Sequence, residues 1–323
     1  MAAMSGVIGG EIVLLGILAL PQMLRLGYDR DLSIGVVCAG GSLGTMMPPS
    51  IVLIIYGLVA GVSIADLFVA AITPALMLLG CYVAYVLYRC IRNPELGPPM
   101  SAEEHAEESL GSALKSVIAP AFIVVAVLGS IYGGIASITE AAALGVSSVL
   151  LITALRRELN LRMLQDSLVH TLETCGMIIW IGIAAAVLVG VYNLMGGNRF
   201  VSAAILGLDA SPVVIIIVMM AILLVLGMFL DWIGIALLTL PIFVPIITQL
   251  DYDPIWFGIL FAVNMQVSFL TPPFGPAAFY LKSVAPPDIT LKHIYTALLP
   301  FIALQLLVLA TLLYFPAIAT WVL

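Results

Sequence analysis

The sequence predicts an all-α polytopic membrane protein built from two inverted repeats, each with a re-entrant hairpin and a helix broken at Pro-Pro. Three observations predict it. Apolar runs long enough to cross a bilayer, about 20 residues each, recur along all 323 residues of a chain that is 63% hydrophobic and 9% charged. Two apolar segments are each interrupted by adjacent prolines, in GGSLGTMMPPSIVLIIYG (40–57) and MQVSFLTPPFGPAAFYL (265–281). The chain also matches itself at a single offset of 224 residues.

The composition excludes several classes. A soluble surface needs far more charge than this chain carries. A transmembrane barrel would show alternating segments of roughly ten residues. The net charge of −7 argues against a nucleic-acid partner. Cys38, Cys81, Cys90 and Cys175 lie in or beside apolar segments with no CxxC, and read as small core residues. His105, His170 and His293 are scattered, so no metal centre and no cofactor is expected, sodium apart. The opening MAAMSGVIGGEIVLLG has no basic region or cleavage site, so no signal peptide is read.

In chain order the apolar segments are 7–24, 32–60, 67–88, 116–136, 139–155, 168–195, 211–250, 255–281 and 294–321. They divide into a first repeat (1–88), a polar linker rich in Glu, Pro and Gly (89–115), scaffold helices of the second repeat (116–210), and the second hairpin, broken helix and last span (211–323). Positive charge concentrates on the cytoplasmic side of membrane proteins. With Arg25 and Arg30 inside, following the spans leaves ten of the eleven basic residues inside and only Arg199 outside. This bookkeeping requires 211–250 to leave and re-enter on one side. The break falls at GMFLDWIG (227–234), between arms of about 15 and 16 residues, each too short to cross roughly 30 Å of hydrocarbon. Asp231 at that tip is costly at membrane depth; it either faces an ion, water or protein, or caps its half-helix.

At the offset of 224, Pro21 falls on Pro245, Tyr28 on Tyr252, Asp29 on Asp253, Pro48 and Pro49 on Pro272 and Pro273, and Tyr56 on Tyr280. The charge assignment puts Asp29 inside and Asp253 outside, so the repeats are inverted. Inverted repeats with discontinuous helices belong to secondary transporters. Proline removes a donor and frees upstream carbonyls, which in lipid need a partner, and a dehydrated cation is one. The half-helix that follows offers its positive end to an anion. Asp231 maps onto Val7, whereas roughly 110 residues separate Lys115 from the second tip. The helices that match them in the first repeat are therefore expected to be missing from a fragment or encoded separately.

These segments resemble the large membrane subunit of tripartite ATP-independent periplasmic (TRAP) transporters: MSGVIGG through LALPQMLRLGYDRDLSIGV and GGSLGTMMPPSIVLIIYGLVAGVSIADLF, GGIASITEAAALG (133–145), the GMFLD…LPIFVPI hairpin, and TPPFGPAAF. The resemblance implies an elevator-type fold, a transport domain of two hairpins and two broken helices moving against a scaffold in the bacterial inner membrane. It implies sodium coupling, an organic-acid (carboxylate) substrate, delivery by a periplasmic substrate-binding protein, and a small membrane subunit as partner. Carried over to this chain, one sodium site lies between Ser5-Gly6 and Gly40, Gly44, Thr45 and Pro48. Its twin lies between Gly227-Asp231 and Asn264, Ser268, Thr271 and Pro272. Pro49, Ser50, Pro273 and Gly275 fall to the substrate. Glu140, in the shared TEAA motif, reads as a cap or scaffold residue. The chain departs from the family in having Ile138 where a proline precedes that motif, and in lacking a second serine after Ser5-Gly6. A membrane enzyme would need GxGD, HExxH or a Ser/Lys pair in a span, and none is present. A stand-alone sodium/carboxylate symporter and a non-transporting remnant are the alternative readings.

Overall fold

A computed structural model describes residues 8–99, 110–197 and 210–323, with 200, 201, 203 and 207 between the last two stretches. Every regular element among them is helical. Among the described residues five helices are long and apolar enough to cross a membrane, so the chain is a multi-pass membrane protein. It forms two compact units, Ala102–Gly197 and the remainder, Met1–Ser101 with Asn198–Leu323.

The composite unit begins with α1 (Ile8–Arg25) and α2 (Arg30–Ser42). A 3-10 turn at Leu43–Thr45 and a cis Pro48–Pro49 bond follow, then α3 (Ile51–Ala60) and α4 (Ile64–Arg92). Its second part contains α8 (Pro212–Gly227), α9 (Trp232–Gln249), α10 (Pro254–Leu270), a cis Pro272–Pro273 bond, α11 (Pro276–Val284), α12 (Leu291–Tyr314) and the short α13 (Ala317–Thr320). The other unit is three helices, α5 (Leu110–Tyr132), α6 (Ile138–Leu155) and α7 (Leu161–Leu194). Helix therefore reaches into both ends of the polar segment 89–115.

The offset of 224 carries α1 onto α9 and brings the starts of α2 and α10, and the ends of α3 and α11, into register. The cause is local chemistry repeated. Asp29 and Asp253 are both N-caps, taking the Leu32 N–H at 2.9 Å and the Ile255 N–H at 2.7 Å. The breaks end α2 after 13 residues and α10 after 17, about 20 and 25 Å of helix against roughly 30 Å of hydrocarbon.

The packing obeys a two-fold exchange. α1 packs on α11 as α9 packs on α3, and α2 packs on α12 as α10 packs on α4. Pairs that swap partners in this way define a two-fold relation, as in an isologous interface. The copies also enter from opposite ends. At one end, the Asp29 N–H donates to Leu96 O at 2.9 Å and Arg30 pairs with Asp288. That gathers Arg25, Arg30, Arg89, Arg92, Lys282 and Lys292 near one another. At the other end, Tyr56 Oη donates to Pro254 O at 2.6 Å and Trp256 Nε1 to Leu312 O at 2.9 Å. α2 and α10 therefore run inward from opposite ends toward breaks in the middle.

Candidate functional site

The second hairpin tip is built from α8, α9 and the turn between them. Asp231 is the N-cap of α9, its Oδ2 accepting the Ile233 N–H at 3.0 Å. The tip is pinned to the second break, because the Phe274 N–H donates to Met228 O at 3.3 Å. Gly227 is required by close approach: a Cβ there would lie 2.5 Å from Ser268 Cβ and nearer still to its Oγ. Between tip and break is a small cavity of about 10 Å³ lined by Gly227, Asp231, Ile235, Ser268 and Pro276 among others. That is room for one water or one bare monovalent ion.

Of the residues expected at this site, the structure brings Gly227, Asp231 and Ser268 together. Asn264 is fully buried; its Nδ2 donates to Met220 O at 2.8 Å, and its Oδ1 has no hydrogen-bond partner among the described residues. Thr271 Oγ1 donates to Val267 O at 2.6 Å, and neither Thr271 nor Pro272 lines the cavity. Pro273 offers its carbonyl to Tyr295 Oη at 3.0 Å. Gly275 carries φ +26° where the chain turns into α11. Asp231 thus does both things the sequence allows, capping α9 and lining a cavity.

The first break is more enclosed. Gly44, Thr45, Pro48 and Ser50 are buried. Thr45 Oγ1 donates to Ser42 O at 2.8 Å, and Ser50 caps α3, accepting the Leu53 N–H at 3.3 Å while its hydroxyl reaches Thr45 O. Pro49 is half-buried beside it. Ser5 and Gly6, the expected tip of the first hairpin, lie outside the described residues. Gly40 faces a different space, an apolar groove of about 290 Å³ shared with Tyr82 and Phe301.

Glu11 is the residue that sequence reasoning missed. It lies on α1 and is 4% exposed, with its carboxylate against the first break: a Cβ on Gly44 would be 2.8 Å from Glu11 Cδ. Under the repeat offset Glu11 falls on Ile235, which lines the second cavity. That is one helical turn past the position of Asp231. Each repeat therefore presents one carboxylate where hairpin meets break. An acidic residue inside an apolar run was the available signal.

Glu140 is exposed and closes a capping box at the start of α6: its Oε2 accepts the Ser137 N–H at 2.7 Å, and Ser137 Oγ accepts the Glu140 N–H at 3.4 Å. Among the described residues no three His, Cys, Asp or Glu side chains cluster as metal ligands.

A family model described as tripartite ATP-independent periplasmic transporter, DctM component, matches residues 1–318. The chain is 32% identical to the isethionate TRAP transporter permease protein of Oleidesulfovibrio alaskensis, over 98% of this chain and 49% of that protein. It is 32% identical to the C4-dicarboxylate TRAP transporter large permease protein of Pseudomonas aeruginosa, over 98% of this chain and 73% of that protein. It is 29% identical to the sialic acid TRAP transporter permease protein of Haemophilus influenzae, over 95% of this chain and 49% of that protein. The chain thus spans about half the length of two of these relatives and about three quarters of the third.

Proposed function

Because the chain belongs to the tripartite ATP-independent periplasmic transporter family, as its DctM component, a family of transporter permeases and not enzymes, we propose that it provides the translocation core for sodium-coupled uptake of an organic acid. The observation that carries this reading is the paired hairpin-and-break arrangement, with a carboxylate at each meeting point: Glu11 against Gly44, and Asp231 beside Gly227 and Ser268. A cation held there neutralises the carboxylate and takes up carbonyls freed by the prolines. The anion is then held by the positive ends of α3 and α11 at Pro49–Ser50 and Pro273–Gly275. Sodium bound next to those ends raises affinity for the anion, which is the coupling.

Relatives named for isethionate, C4-dicarboxylate and sialic acid support an organic-acid substrate. As the family's name implies, a periplasmic substrate-binding protein delivers the substrate and a small membrane subunit buttresses the scaffold. The exchanged packing of α1 with α11 and α9 with α3 supports motion of the hairpins and breaks as one body, an elevator step. The test is uptake into liposomes by the full-length chain with both partners. Replacing sodium by potassium or choline abolishes accumulation if the reading is right. Uptake indifferent to sodium but collapsed by a protonophore overturns it.

A further inference from the structure

Gln266 on α10 and Ser42 at the end of α2 are repeat mates, 224 residues apart, and they are bonded. Gln266 Nε2 donates to Ser42 O at 3.1 Å, with both residues fully buried. Equivalent residues of two repeats can touch only where their two-fold axis passes. The bond gives the second break a direct polar handle on the first.

The bond sits in a small polar knot. Ser42 Oγ donates to Ala39 O at 2.8 Å and lies 3.4 Å from Gln305 Nε2. Tyr82 Oη stands beside Gln305 and Ser42 within the same knot, and Gln266 Oε1 is buried with no hydrogen-bond partner among the described residues. The knot is not itself a cation site. It holds no carboxylate, and the tyrosine O–H and the second N–H of each glutamine supply donors within it to the amide oxygens. A shared water completes such a set better than a bare cation does. Nor is stability a sufficient account, since each unsatisfied buried group costs about 1–3 kcal/mol and an apolar contact of the same shape would cost less.

The geometry around the bond gives it a use. Two residues after Ser42 comes Gly44, pressed against the Glu11 carboxylate. Two residues after Gln266 comes Ser268, pressed against Gly227 beside Asp231. We propose that Gln266 is a positioning residue that couples the two cation sites through the Ser42 carbonyl, so that filling one site raises the affinity of the other. A cation at the first site orders the 3-10 turn after Ser42. That fixes the Ser42 carbonyl, and through Gln266 the last turn of α10, on which Ser268 stands. By linkage the effect is reciprocal.

This inference rests on the sodium reading above, and the experiment separates the two. Sodium titrations of uptake by the full-length chain with its partners compare wild type with Gln266→Met, which keeps the bulk and loses the donor. Wild type should give a Hill coefficient of about 2 and the variant about 1, because two uncoupled sites bind independently. Should Gln266→Met fail to insert, Gln266→Asn keeps the amide, withdraws it by one methylene, and gives the same result. A variant whose maximal rate falls while its Hill coefficient stays at the wild-type value shows a merely structural glutamine and overturns the inference. A wild-type coefficient of about 1 also overturns it, leaving sodium coupling intact. Wild-type uptake that ignores sodium overturns the parent reading and this one with it.

Discussion

Replacing Gly227 by alanine tests the second site with a single methyl group. The new Cβ would sit 2.5 Å from Ser268 Cβ, where ordinary contact begins near 3.4 Å. Rotating the serine hydroxyl away does not relieve this, because Ser268 Cβ is fixed to α10. The hairpin tip and the break must part. Inserting a methylene into a packed contact typically costs 1–3 kcal/mol. If that strain falls on the ion-bound state, the sodium concentration for half-maximal uptake rises roughly 5- to 150-fold. Helix propensity works the other way, since alanine is at most about 1 kcal/mol better than glycine at this last residue of α8. A weakened sodium response in a protein of unchanged or modestly lowered stability therefore isolates the clash. Uptake by the full-length transporter is measured against sodium, and the unfolding temperature is measured alongside. The double variant Gly227→Ala, Ser268→Gly removes the opposing Cβ and should recover most of the loss. Wild-type sodium dependence in Gly227→Ala would refute the reasoning, because tip and break would not then enclose the ion.

The two carboxylates can be neutralised one at a time. Asp231→Asn keeps an N-cap of comparable strength, so a rise in the sodium requirement reports the lost charge and not an unravelled α9. Glu11→Gln removes a buried charge with little change of shape and should raise the sodium requirement roughly tenfold or more; a sodium titration identical to wild type would remove Glu11 from the site. Topology is checked with single cysteines at Asp29 and Asp253 in a full-length background lacking the native cysteines. In intact cells an impermeant thiol reagent should label 253 and spare 29, and labelling of both from one side would mean that the repeats are not inverted.

Much of the fold was legible because its signals are local. Adjacent prolines, Asp N-caps and a glycine-flanked aspartate each act within a few residues, so their recurrence at 224 could be read by sliding the chain against itself. Glu11 escaped that method because it stands where the other repeat has Ile235: identity matching finds what two copies share, and here they differ. Gln266, Gln305 and Tyr82 were illegible for another reason. Each is an unremarked polar residue in its own helix, and only the crossing of α2, α4, α10 and α12 makes them neighbours. Asn264 and Thr271 were expected at the ion, and neither lines the small cavity. A threonine in a helix satisfies its hydroxyl on the carbonyl four residues back, as Thr271 does on Val267. Spacing alone does not reveal which polar side chains reach the cavity.

The two sites are built on one backbone plan with side chains exchanged across it. At the first, the break contributes the small residue, Gly44, and the hairpin arm contributes the large one, Glu11. At the second, the hairpin contributes the small residue, Gly227, and the break contributes the larger Ser268. Either choice lets helix end and hairpin approach to van der Waals contact, so a duplicated backbone can drift between them without losing closure. What drifts with the choice is the carboxylate. Glu11 is buried one turn into α1, whereas Asp231 stands at the N-cap of α9, with one oxygen committed to the Ile233 N–H. A cation would meet a more enclosed carboxylate at the first site and a partly spent one at the second, so the sites need not share an affinity although they share a frame. Two unequal sites gain most from a mechanical link between them. A single amide-to-carbonyl bond on the axis supplies one without requiring that the sites look alike.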